Sequence, residues 1–197
     1  LMGSEMCITD RERVFILVQD RYLSECDDNK LDKTVSDVVK LLKQRNWKIA
    51  SAESCTGGFV SQMITSVSGA SSVFELGLCT YSDRMKHNLL GVPEEILQKY
   101  GAVSPQTAEA MVRGLHKKSG ADVCISVTGI AGPDGGTEKT PVGTVYIGFW
   151  FDGRCFVRLP ELWELDDKSR KNIRLSAVKY AFETVENLLS EDSLKNE

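Results

Sequence analysis

Ser54 follows the apolar run Trp47 to Ala50 within Ala52-Glu53-Ser54-Cys55-Thr56-Gly57-Gly58, and the apolar segment Phe59 to Val67 comes next. A strand that passes through a Gly-rich turn into a helix leaves the first-turn N–H groups facing outward, where they favour negative charge. It also holds a side chain at the strand end in a fixed place. A serine there becomes a nucleophile once a base takes its proton; a serine ahead of a helix serves equally as its N-cap. Two residues compete for the base. Lys86 comes five positions after Tyr81, a spacing that works if Tyr81 ends a strand and Lys86 reaches back from the next turn. A lysine is a base only when neutral, which burial or a nearby cation brings about, and by type alone it is a solvated surface residue. His87 would make a Ser–His arrangement, although the chain has no Gly-x-Ser-x-Gly elbow. Glu53 should point to the sheet face opposite Ser54, where a contact to the following helical turn is its simplest role.

A second glycine-rich stretch, Thr128-Gly129-Ile130-Ala131-Gly132-Pro133-Asp134-Gly135-Gly136, is neither the dinucleotide fingerprint nor a Walker A loop. Its glycines permit turns with positive φ. Two such loops facing each other also suit close backbone approach to a small ligand with an anionic group. Arg170 and Arg174, one helical turn apart, are candidates for a phosphate clamp and equally for a solvated helix face.

These residues need a scaffold that gathers strand ends. Asp32 is a plausible N-cap for a helix to about Arg45, with Val35, Val38, Val39 and Leu42 on one face. Strands are expected over Val73 to Tyr81, Val123 to Val127 and Thr144 to Phe151. Asp152-Gly153 is a hairpin signal leading to a return strand from Arg154 to Leu159. Helices are expected from Pro93 to Tyr100, from Ser104-Pro105 to Gly120, and from about Asp167 to Leu189, with Ser190 to Glu197 frayed. Alternating helices and strands with one hairpin predict a three-layer α/β/α sandwich on a mixed, mainly parallel sheet. The ligand crevice of such a sheet lies beyond the carboxyl ends of its strands, which brings Glu53-Ser54-Cys55-Thr56, Thr80-Tyr81-Ser82 and Ser126-Val127-Thr128-Gly129 to one cleft. One domain is expected over residues 32–190, with 191–197 a flexible tail. Residues 1–31 form an extension whose pattern (Val14, Ile16, Leu17, Val18, Tyr22, Leu23) suggests a helix from Asp10 to Leu23.

The 197 residues are 42% hydrophobic and 26% charged, with a net charge of −4 and a pI of about 5.4. That balance gives no electrostatic argument for nucleic acid. No apolar run approaches the roughly 20 residues of a membrane-spanning helix, and the first residues lack the pattern of a secretory leader, so a cytoplasmic location away from the membrane is expected. The six cysteines include no Cys-x-x-Cys pair, which points to buried free thiols and not to a disulfide framework. With His87 and His116 the only histidines, no metal site is expected.

Taken together, the Ala52–Gly58 stretch, Thr80-Tyr81-Ser82 with Lys86, Leu89-Leu90-Gly91-Val92, Gly101-Ala102-Val103-Ser104, the Thr128–Gly136 loop and Pro141-Val142-Gly143-Thr144-Val145 resemble the C-terminal domain of the CinA (competence/damage-inducible protein) family in its stand-alone, nicotinamide-nucleotide amidase form. The resemblance runs in order over roughly residues 33–190. It implies a three-layer α/β/α fold and a cofactor-free, metal-free hydrolysis of nicotinamide mononucleotide to nicotinate mononucleotide and ammonia. Carried over by residue, Ser54 is the nucleophile, Lys86 its base and Tyr81 a proton-relay or orienting partner. Thr56, Gly57, Gly58, Thr128, Gly129, Gly132 and Arg170 are substrate contacts, and the oxyanion would rest on N–H groups near Thr56 to Gly58. The chain departs from the family at Leu165-Asp166-Asp167-Lys168-Ser169-Arg170, where an aromatic residue and Gly-Asp-Arg are usual; Arg174 or Lys168 then competes with Arg170 for the phosphate. The second domain of longer members is not expected here, and a homodimer or higher homo-oligomer is the expected assembly. A catalytically silent nucleotide-binding module of the same fold is the alternative.

Overall fold

Val123 to Val127 is apolar at every position but Ser126, and in the computed structural model this segment opens a strand buried on both faces. The structure describes residues 4–10, 13–20 and 28–195. Its strands are β1 (Ser4–Asp10), β2 (Arg13–Asp20), β3 (Ile49–Glu53), β4 (Phe74–Cys79), β5 (Val123–Gly129), β6 (Val145–Phe151) and β7 (Arg154–Pro160). Its helices are α1 (Asp28–Arg45), α2 (Phe59–Ser66), α3 (Asp83–Leu90), α4 (Glu94–Tyr100), α5 (Pro105–Ser119) and α6 (Arg170–Lys195). The strands form one mixed sheet in the order β1-β2-β7-β6-β5-β3-β4. Around β3 it is parallel, with β4 on one side and β5 on the other. The β6–β7 hairpin continues it antiparallel.

Strand alternation divides the core into two layers. Ile49, Val123, Ile125, Val127, Ile147 and Phe149 pack against the apolar faces of α1, α2 and α6. Ala50, Ala52 and Cys124 face the other way and meet Met111, Val112 and Leu115 of α5 with Leu90 of α3. Local signals set the boundaries. Ser104 caps α5 by accepting from the Thr107 N–H, Pro105 occupies its first turn, and Gly120 ends it at φ 66°. Asp152 and Gly153 both take positive φ, 46° and 77°, as the tight hairpin requires. Gly114 lets α3 approach α5 closely, because a Cβ there would lie 1.8 Å from the Leu90 carbonyl oxygen.

The N-terminal segment departs from its expected helix. Arg13–Asp20 is a strand, paired antiparallel with β1 and parallel with β7. The consecutive apolar residues from Val14 to Val18 suit a strand better than a helix period, and β7 offers an unpaired ladder beside them. Tyr22 and Leu23 lie outside the described residues. At the other end α6 continues to Lys195, beyond Leu189, since nothing in Ser190–Lys195 breaks a helix. Cys55 and Cys124 are buried free thiols as expected and Cys155 is half-buried, but Cys79 is exposed. It lies on the outward face of the edge strand β4, where every second residue meets solvent.

Candidate active site

The parallel ladders around β3 run one residue past its end. The Ser54 N–H donates to the Val127 carbonyl at 2.9 Å, and the Thr80 N–H donates to the Glu53 carbonyl at 2.8 Å. Ser54 therefore sits between Thr80 and Thr128, and the three polar strand ends do meet at one place. Glu53 points to the opposite face, fully buried. Its carboxylate accepts from the N–H groups of Gly58 and Val60 at 3.0 Å, from the Ser61 N–H at 2.9 Å and from the Ser61 hydroxyl at 3.0 Å. An anion against the first turn of α2 satisfies N–H groups that have no partner inside the helix. The turn needs glycine twice, at Gly57 (φ 61°) and Gly58 (φ 95°). Ser54 is thus not the cap of α2; Glu53 is.

On the Ser54 face, the Lys86 Nζ donates to Ser54 Oγ at 3.3 Å and to the Tyr81 carbonyl at 3.3 Å, and lies 3.5 Å from Asp83 Oδ1. Ser82 caps α3 by accepting from the Met85 N–H, which aims the helix so that Lys86 turns back over the strand end. Lys86 is 1% exposed and Ser54 8%. Burial pushes the Lys86 ammonium below its ordinary pKa, and Asp83 works against that shift. His87 goes elsewhere, its Nδ1 2.9 Å from the Val92 carbonyl and its Nε2 3.9 Å from Glu94. Of the two candidate bases, the fold brings Lys86 to the serine.

The remaining residues frame the cleft. Tyr81 is 62% exposed, and its hydroxyl accepts from Arg170 at 3.1 Å. Arg170 also donates to the Gly132 carbonyl at 2.8 Å, so one side chain from α6 joins the β4 end to the second glycine-rich loop. Arg174 does not reach for the mouth of the cleft. It donates to the Thr56 carbonyl at 2.6 Å and lies over the Phe59 ring, holding the Ser54 turn from the α6 side. The Thr128 hydroxyl donates to the Ala102 carbonyl at 2.7 Å, which ties the segment ahead of α5 to the strand end. Gly129 packs tightly against β6, where a Cβ would come within 2.6 Å of the Thr144 carbonyl oxygen. In the turn, the Gly57 N–H donates to the Ser54 carbonyl at 3.1 Å and the Gly58 N–H to Glu53. The N–H groups of Cys55 and Thr56 have no oxygen acceptor among the described residues.

Residues 31–189 match the family model described as "CinA C-terminal domain". This chain belongs to the CinA C-terminal domain family. It is 46% identical over 153 residues to a CinA-like protein of Akkermansia muciniphila, spanning 78% of this chain and 36% of that one. It is 41% identical over 158 residues to the nicotinamide-nucleotide amidohydrolase PncC of Enterobacter agglomerans, spanning 80% of this chain and 94% of that protein. The chain covers about two fifths of the length of several other curated relatives, named putative competence-damage inducible proteins. Among solved structures it resembles the competence/damage inducible protein CihA from Agrobacterium tumefaciens, with a TM-score of 0.77 and 32% identity over 85% of this chain and 99% of that one.

Within this CinA domain, the contacts around the cleft differ in how much signal the sequence carries for them. Asp83 stands three residues before Lys86, the ordinary spacing of a helical ion pair, and that was readable. The grip of Arg174 on Thr56, across 118 residues, was not. Nor was it readable that two N–H groups of the expected Thr56 to Gly58 set are already committed, that of Gly57 to the Ser54 carbonyl and that of Gly58 to Glu53. Among the described residues no three His, Cys, Asp or Glu side chains are grouped to hold a metal ion, and no helix is long and apolar enough to cross a membrane.

Proposed function

We propose that this chain is an amidohydrolase that converts nicotinamide mononucleotide to nicotinate mononucleotide and ammonia through an acyl-enzyme on Ser54. The observation that carries the proposal is the buried amine of Lys86 at 3.3 Å from Ser54 Oγ, and its similarity to an amidohydrolase over 94% of that relative's length supports the substrate class. Ser54 Oγ attacks the carboxamide carbon while its proton passes to the neutral Lys86 amine. The oxyanion is met by the N–H groups of Cys55 and Thr56. Lys86 then returns the proton to the departing nitrogen, the C–N bond breaks, and ammonia leaves a seryl ester. Water attacks that ester, gives a proton to Lys86, and the proton returns to Ser54 Oγ as nicotinate is released.

Arg170, exposed at the cleft mouth, receives the phosphate, with the backbone of Gly57, Gly58, Gly129 and Gly132 close to the nucleotide. Thr56 and Thr128 hold the loops that shape this space. Tyr81 orients Lys86 through its carbonyl and Arg170 through its hydroxyl. Such an enzyme serves pyridine-nucleotide salvage in the cytoplasm as a homo-oligomer. The experiment is ammonia release from nicotinamide mononucleotide, with the nicotinate product identified by mass. Wild-type turnover that Ser54→Ala abolishes, with nucleotide binding retained, is the expected result. A wild-type chain that binds the nucleotide and releases no ammonia would instead be the silent binding module.

A further inference from the structure

Thr80 is fully buried, and its hydroxyl has no hydrogen-bond partner among the described residues. A buried hydroxyl without a partner weakens the fold, and an apolar group of the same shape avoids that cost. Thr80 is not an incidental core threonine. Leu76 and Leu78 of β4 pack in the same layer as Ala50 and Ala52 of β3, and Leu78 pairs with Ala52. One alternation further along both strands, Thr80 stands beside Ser54 on the face where Lys86 arrives. On the far side of Ser54, Thr128 occupies the equivalent place on β5, but its hydroxyl is already given to Ala102. Lys86 Nζ already has Ser54, Tyr81 and Asp83 around it. Of the two threonine hydroxyls on the strands flanking Ser54, that of Thr128 is committed and that of Thr80 has no partner among the described residues.

Resting on the proposed serine chemistry, we infer that Thr80 is a positioning residue, whose hydroxyl donates a hydrogen bond to Ser54 Oγ as that oxygen loses its proton to Lys86. The bond exists only while charge develops on Oγ, so the resting state carries an unpartnered hydroxyl and the reacting state does not. A donor to a charged oxygen is worth a rate factor of roughly 10- to 150-fold. The substitution that isolates it is Thr80→Val, which keeps the β-branched shape and removes the hydroxyl.

The experiment measures the labelling rate of Ser54 by a fluorophosphonate probe, read by intact mass, in wild type, Thr80→Val and Thr80→Ser, with the thermal midpoint of each. This readout needs no knowledge of the natural substrate. Thr80→Val should react roughly 10- to 150-fold more slowly with a midpoint equal to or above the wild type, and Thr80→Ser should restore most of the rate. Labelling of Thr80→Val at the wild-type rate would overturn the inference. So would a Thr80→Val that unfolds below the wild-type midpoint, since the hydroxyl would then be structural. A wild type that labels at Ser54 but releases no ammonia from nicotinamide mononucleotide would remove only the substrate assignment. A wild type that does not label at all would overturn the serine mechanism and this inference together.

Discussion

The amine of Lys86 and the hydroxyl of Ser54 lie 3.3 Å apart across 32 residues of sequence, and both are buried. Burial disfavours the ammonium form, so the same packing that brings the two atoms together also pushes the lysine toward the neutral form that the proposed base requires. Lys86→Met should therefore lower kcat for ammonia release by about 10²–10⁴-fold, the range of a positioned general base, whereas His87→Ala should leave most activity. A side-by-side kinetic comparison with the ranking reversed would move the base role to His87.

The depressed pKa of Lys86 fixes the sign of two pH effects. The unfolded chain binds this proton up to the ordinary value of 10.5, and the folded chain releases it earlier. Between the folded value and 10.5 the unfolded state holds more protons, so stability rises with pH through that window. Thermal melts should show this slope in the wild type and not in Lys86→Met. Asp83→Asn removes the carboxylate that favours the ammonium, so the rising limb of the pH–rate profile should move to lower pH. A limb that moves upward would show that Asp83 acts on the reaction by another route.

Glu53 should matter through the turn and not through the reaction. In Glu53→Gln one acceptor oxygen becomes an amide donor facing backbone N–H groups, which costs about 1–3 kcal/mol for each N–H left without an acceptor. The denaturant midpoint should fall, and kcat should fall with it because the turn carries Ser54 and the Cys55 and Thr56 N–H groups. Full stability in this variant would mean that the turn holds its shape without the carboxylate.

Arg170 and Arg174 should separate on a pair of substrates. Arg170→Ala is expected to raise KM for nicotinamide mononucleotide roughly 10- to 150-fold, the worth of one charge-assisted contact, and barely to change the rate on nicotinamide riboside, which has the amide and no phosphate. Arg174→Ala should lower kcat on both, because that guanidinium holds the Thr56 carbonyl. Equal losses on both substrates for Arg170→Ala would assign it a structural or catalytic part, through Tyr81 and Gly132.

The sequence by itself determined several of the elements and the residues gathered at the cleft. Apolar runs with glycine, proline and serine punctuation are local signals, and they sufficed for β3, β5, the β6–β7 hairpin and the caps of α5. Strand parity alone sent Glu53 and Ser54 to opposite faces. The tertiary structure decided whatever depended on contact over distance. Lys86 and His87 are neighbours on one helix, and their types do not say which one turns inward; the packing of α3 against α5 at Gly114 does. The two arginines of α6 are alike in sequence, yet one reaches the cleft mouth at Tyr81 and Gly132 and the other grips Thr56 from behind. The same holds for β2, whose apolar run became a strand where β7 offered an unpaired ladder. Local pattern records what a segment can form, whereas pKa, partner and orientation come from the neighbours that only the folded chain supplies.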